Sequence, residues 1–261
     1  MNISFEGKKA LVGGASGGIG RAIAKQLAES GAQVTLVARN KEKLERVKDE
    51  LACDQHQQHQ YLVVDYGDFE SYRQRITDYF NHHSVDILIN NTQGPAAGGA
   101  IEKNIDDYQQ AFDLLFKTTV LTTELALEQM IHKKWGRIIN VASVSVKEPL
   151  SYLVLSNSIR AAVVTWAKSL AMDVGPYGIT INSILTGFFD TERLGQLNRK
   201  KAEKMGVPEE EVIRAMESLT ALKRIGDPAE YGYLAAFLAS EQASFITGTS
   251  IPIDGGYLKS L

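Results

Sequence analysis

Gly14, Gly18 and Gly20 stand in the spacing G-x-x-x-G-x-G, between an apolar run at 9–12 and a helix-forming stretch that opens at Arg21. A turn this tight needs backbone angles that a residue with a Cβ resists. It also brings main-chain N–H groups, at a helix N-terminus, against a pyrophosphate. The order apolar strand, glycine turn, helix start therefore predicts a dinucleotide site. No comparable pattern points to a metal. His56, His59 and the pair His82 and His83 lie in polar stretches without cysteine or carboxylate spacing of ligand type.

The elements that must position such a turn follow from periodicity. Short apolar runs at 9–12, 33–37, 61–64, 85–89, 137–141, 179–184 and 250–253 read as strands. Segments 21–30, 41–51, 69–81, 105–132, 155–174 and 229–239 read as helices, and 187–226 as a polar, partly helical excursion. This alternation predicts an α/β fold of Rossmann type, a doubly wound parallel sheet with helices on both faces, in a single domain over 1–261. Right-handed crossovers place the strand C-termini on one edge, where such folds bind ligands. Residues 14–20, Arg39, Asp65, 90–94, Ser143 and 187–191 all fall there. Segment 155–174 is apolar nearly all round, so either the core or a second subunit covers more than one of its sides.

Composition narrows the partners. With 28 Lys and Arg against 31 Asp and Glu, the chain carries a net charge of −3, so no basic excess calls for nucleic acid or an anionic membrane. No run of about eighteen apolar residues offers a bilayer span. The single cysteine, Cys53, fits a reducing compartment, and the N-terminal residues show no signal-peptide pattern, so a cytoplasmic protein is expected.

Taken in order, residues 14–20, Asp65, Asn90 and Asn91, the run Asn140, Val141, Ala142 and Ser143, then Asn182, Gly187, Asp190 and Thr191, and finally Ile253 to Gly256, resemble the short-chain dehydrogenase/reductase family. Within it the chain is most similar to the 3-oxoacyl-acyl-carrier-protein reductase-like branch. The resemblance implies that Gly14, Ser16, Gly18, Ile19 and Gly20 line the pyrophosphate and adenosine of the cofactor. It puts Asp65 at the adenine edge and Asn91 beside the adenosine-side ribose. Thr191, with Gly187, belongs at the nicotinamide amide, and Ser143 at a substrate carbonyl. It makes the excursion at about 188–226 a substrate lid, and it implies a homotetramer or homodimer. After the second strand, where an acidic residue would select NAD(H), the chain has Arg39. Its planar cationic fork suits a 2′-phosphate, which favours NADP(H); the plainer reading is a surface arginine.

The catalytic positions depart from the family. The tyrosine expected thirteen residues after Ser143 is Ser156, and the lysine one helical turn later is Arg160. The relay asparagine aligns with Leu115. Thr92 and Gln93 replace an alanine and a glycine, and Thr186 replaces a proline. A phenol has a pKa of about 10 that a nearby cation brings toward neutrality. A serine hydroxyl is a far weaker acid, and Arg160 does not release a proton near neutral pH, although it can still donate to ribose hydroxyls. The resemblance thus keeps cofactor binding and removes the usual proton transfer.

Three functions remain open at this point. One is an NADP(H)-dependent reductase of a small-molecule or acyl-thioester carbonyl, with Tyr152 or a water held by Ser143, Ser156 and Arg160 as the acid. Tyr152 qualifies only if the helix starts early; otherwise it is a packing aromatic. The second is an NADP(H)-binding sensor or inactive subunit. The third is a lyase or isomerase step on the same scaffold. The basic residues Arg193, Arg199, Lys200, Lys201 and Lys204 suit an acidic carrier or a coenzyme A thioester, or else a solvated helix face.

Overall fold

The computed structural model describes residues 2–260. Seven parallel strands form one sheet: β1 (Lys9–Gly13), β2 (Gln33–Ala38), β3 (Gln60–Val63), β4 (Ile87–Asn90), β5 (Gly136–Val141), β6 (Ile179–Thr186) and β7 (Ser250–Ile253). Their spatial order is β3-β2-β1-β4-β5-β6-β7. The order reverses between β1 and β4, which is where a doubly wound sheet opens a crevice. Register levels the strand ends there: Gly13 pairs with Val37, Val12 with Ile89, and Asn90 with Asn140.

Helices α1 (Gly18–Glu29), α2 (Lys41–Asp49), α3 (Phe69–His82), α4 (Ile105–Phe112), α5 (Thr118–Lys133), α6 (Val154–Val174), α7 (Glu192–Met205), α8 (Glu209–Leu219) and α9 (Pro228–Ala239) complete the chain. Alternating strand residues feed two cores, as a period of two requires. Val12, Ile87, Ile89 and Ile139 pack with Ile23 and Leu27 of α1 and Tyr231 and Leu238 of α9. Leu11, Leu88, Ile138 and Ile181 pack on the other face with Ile76 of α3, Met130 of α5 and Ala167 of α6.

The single helix read over 105–132 is α4 and α5 joined by a π turn, Asp113–Lys117. Thr118 and Thr119 hydroxyls donate to the Leu114 and Leu115 carbonyls at 2.6 and 2.7 Å, which supports the widened turn without breaking the helical course. The partly helical excursion at 187–226 holds two amphipathic helices, α7 and α8. On α6 the chain itself buries one stripe, including Val163, Ala167 and Ala171, whereas Met172 on the far side is 70% exposed. The core alone therefore does not cover several sides of this helix.

Two polar devices hold the frame at a distance from the crevice. Arg137, at the start of β5, is 2% exposed. Its guanidinium donates to the carbonyls of Gly136 and Gly178 at 2.9 and 3.1 Å, pairs with Glu241 at 3.2 Å, and lies over the Trp135 ring. At the start of α9, Asp227 and Glu230 form a capping box, and Arg224 grips Glu230 through both carboxylate oxygens at 2.8 and 2.6 Å. These bonds hold the Glu230 carboxyl down to about 2. A folded value below the unfolded one adds stability that is complete above the ordinary carboxylate range and is lost as pH falls toward 2. Glu230→Gln is therefore expected to lower Tm modestly at pH 7, because the pair is exposed. The gap from wild type should narrow in melts taken at successively lower pH down to 3; a gap independent of pH would contradict the pairing.

Candidate active site

A cleft of about 500 Å³ runs along the C-terminal ends of β1, β2, β4, β5 and β6 and under the first turns of α7. At its floor the glycine turn has φ +57° at Gly14 and +51° at Gly18, the left-handed region that a side chain resists. A Cβ on Gly20 would lie 2.3 Å from the Gly14 carbonyl oxygen. Asn91, just past β4, donates from Nδ2 to the Gly13 carbonyl at 3.0 Å and so ties the turn across the crevice. No side chain caps α1 and no acidic residue occupies its first turn, so its N–H groups face the cleft with Ser16 and Ile19 beside them. A glycine cradle at an uncapped helix start fits a pyrophosphate.

One end of the cleft is marked by cations. Arg39 follows β2, is exposed, lines the cleft, and has no ion-pair partner among the described residues. Lys43, in the first turn of α2, also lines it and pairs with Glu192 of α7 at 2.9 Å. Sequence reasoning missed this pair. Lys43 lies one helical turn beyond Arg39, a weak signal, and Glu192 is 149 residues further along the chain. Asp65 does not reach the cleft wall: its Oδ1 accepts from the Gly67 amide at 2.9 Å, in a tight turn of its own.

At the other end the structure brings Ser143, Ser156 and Arg160 together, with Gly187 and Thr191 opposite. Ser143 follows β5 and opens a short 3₁₀ turn, so its Oγ accepts from the Ser145 amide at 3.1 Å. Ser156 and Arg160 lie one turn apart on α6, and Arg160 Nε donates to Ser156 Oγ at 3.2 Å. Arg160 Nη1 donates to the Val141 carbonyl at the end of β5. Burial pushes its guanidinium pKa down and the neighbouring Tyr231 opposes this, but an arginine remains charged. Thr191 caps α7 by accepting from the Leu194 amide at 3.2 Å. Arg193 donates to the Pro95 carbonyl across the cleft at 3.4 Å.

Tyr152 is a correction. α6 starts at Val154, so Tyr152 precedes the helix and does not share a face with Ser156. Its carbonyl accepts from Gly98 at 2.7 Å, which fixes the segment as a strand-like bridge. The side chain is 44% exposed and absent from the cleft wall, and its pKa is pushed up by burial and by Tyr257. Thr186, at the departed proline position, has its hydroxyl 3.1 Å from that of Tyr231, a contact that the sequence did not announce.

Known proteins resemble this chain in sequence and fold. A family model described as enoyl-(acyl carrier protein) reductase matches residues 14–258. The NADPH-dependent reductase BacG of Bacillus subtilis (strain 168) is 32% identical over 258 residues, covering 97% of this chain and 99% of the relative. The 3-oxoacyl-[acyl-carrier-protein] reductase FabG of Rickettsia conorii is 31% identical, covering 98% and 99%. The solved L-sorbose reductase from Gluconobacter frateurii, in complex with NADPH and L-sorbose, superposes with a TM-score of 0.92 at 27% identity over the whole of both chains. The glycine cradle, the parallel sheet with its reversal beside Asn91, and a match over nearly every residue agree: the chain belongs to the short-chain dehydrogenase/reductase family, in its 3-oxoacyl-acyl-carrier-protein reductase-like branch.

Proposed function

We propose that this protein is an NADP(H)-dependent reductase of a carbonyl compound, a 3-oxoacyl thioester or related ketone, in which two serine hydroxyls and a guanidinium take the place of a phenol and an ammonium. One observation carries the reading. The Oγ of Ser143 and the Oγ of Ser156 each accept a hydrogen bond from within the protein. Each hydroxyl is therefore left with its own proton to donate into the cleft. Bound NADPH would supply a hydride. Two donors converging on the substrate oxygen would stabilise the negative charge that develops there, and Arg160 would add a fixed positive field. The proton itself would come from water, since among the described residues the cleft lining holds no tyrosine or histidine and its one lysine, Lys43, is paired with Glu192. NADPH oxidation followed over a panel of 3-oxoacyl thioesters and small ketones tests this, and Ser143→Ala is expected to lower kcat by about 10²–10³.

Arg39 is assigned to the 2′-phosphate. Arg39→Asp is expected to weaken NADPH binding by about 10- to 100-fold while leaving NADH binding close to wild type, as read from nicotinamide fluorescence. Equal losses for both cofactors would remove the assignment.

A second reading, an NADP(H)-binding protein without hydride transfer, draws on the bond from Arg160 to the Val141 carbonyl and on the position of Tyr152 outside the cleft. It predicts NADPH binding with no turnover of any carbonyl. Under either reading we propose a cytoplasmic homodimer or homotetramer. The exposed apolar side of α6 around Met172 and the fully exposed Phe245 support the assembly, and the lone exposed thiol of Cys53 supports the location.

A further inference from the structure

Among the described residues that line the cleft, Arg39, Lys43, Arg160 and Arg193 are cationic and Glu192 is the one carboxylate. Glu192 is the first residue of α7 and its Oε2 lies 2.9 Å from Lys43 Nζ. A carboxylate paired with a cation on the wall of a phosphate site competes with the phosphate for that cation. Both partners are well exposed, at 45% and 67% of the side chain, so the pair is weakly held. Lys43 is also well placed to leave it. Its backbone is fixed by the Asn40 cap, which accepts from the Lys43 amide at 2.7 Å, while its four-carbon side chain can turn about that anchor. Glu192 in turn loses little by release, because it sits in the first turn of a helix capped by Thr191, where negative charge is favoured.

We propose that Lys43 is exchanged between two anions: it pairs with Glu192 until NADPH binds, then turns to the 2′-phosphate beside Arg39. Discrimination between NADPH and NADH is thereby set by three residues on two elements, β2–α2 and the lid helix α7. Only the phosphorylated cofactor draws Lys43 off the lid. The exchange rests on the assignment of Arg39 to the 2′-phosphate. The Lys43–Glu192 pair then acts as a competitor that the phosphate must displace.

The test is a double-variant cycle on the full chain, with dissociation constants for NADPH and NADH measured by nicotinamide fluorescence and folding checked by Tm. Lys43→Met is expected to weaken NADPH binding about tenfold and leave NADH unchanged. Glu192→Gln is expected to tighten NADPH binding about threefold, again without effect on NADH. In the Lys43→Met background the Glu192→Gln gain should largely vanish, because there is no competition left to relieve. A Glu192→Gln variant that binds NADPH more weakly, or effects that simply add, would overturn the exchange. Arg39→Asp separates the two ideas. If it leaves NADPH affinity intact, the phosphate assignment itself fails; if it weakens NADPH while the cycle is additive, the exchange alone falls.

Discussion

The double variant Ser156→Tyr, Arg160→Lys is expected to raise kcat for ketone reduction by about 10²–10⁴ over wild type, the usual contribution of a positioned general acid. Ser156 lines the cleft on the first turns of α6, so a phenol in its place projects toward the substrate position beside Ser143. A lysine one turn later is near enough to lower that phenol's pKa. The change gives up the bonds of Arg160 to Val141 and Ser156, both within the same corner of the cleft. A second signature accompanies the rate. Neither a serine hydroxyl nor a guanidinium titrates near neutrality, so these groups give wild type no ionisation between pH 6 and 9. The variant should acquire one in its kcat profile. A variant no faster than wild type would show that the missing phenol does not limit the reaction, and that the serine pair is sufficient or that the substrates tried are wrong.

Gly20→Ala is expected to weaken NADPH binding by at least about 10²-fold and to cost about 1–3 kcal/mol in stability, the range for overpacking a fixed site. The added Cβ would sit 2.3 Å from the Gly14 carbonyl oxygen and 2.9 Å from Asn91 Nδ2. Neither neighbour is a free side-chain end: one is backbone in the left-handed region, the other is bonded to Gly13. The start of α1 must therefore move, and its N–H groups with it. Titration of nicotinamide fluorescence gives the affinity and a thermal melt gives the stability. Wild-type affinity in a folded Gly20→Ala protein would refute the cradle as the pyrophosphate site.

What the sequence disclosed and what it withheld divide along a physical line. Strand and helix alternation was legible because the two periods, two and 3.6, are written in local runs such as 33–37 and 69–81. The glycine cradle was legible because its chemistry sits within seven consecutive residues. The π turn within the 105–132 helix was not, since Leu114 and Leu115 look like ordinary helix formers and the threonine hydroxyls that support the turn could equally face solvent. Tyr152 depended on where α6 begins, and that is settled by a bridge to Gly98, remote in sequence. The pairing of Lys43 with Glu192 and the seat of Arg137 among the carbonyls of Gly136 and Gly178 depend on register and chain reversal, which no single segment encodes.

Arg137 and Ser143 lie at opposite ends of one short strand. β5 spans six residues, about 20 Å at the usual rise, with the buried guanidinium at its base and the cleft-lining Ser143 just beyond its tip. The two rims of the sheet therefore differ in kind: one carries a buried anchor, the other lines the cleft. On the proposed role of Ser143, substitutions at the base of β5 should act first on melting temperature and those just past its tip first on turnover.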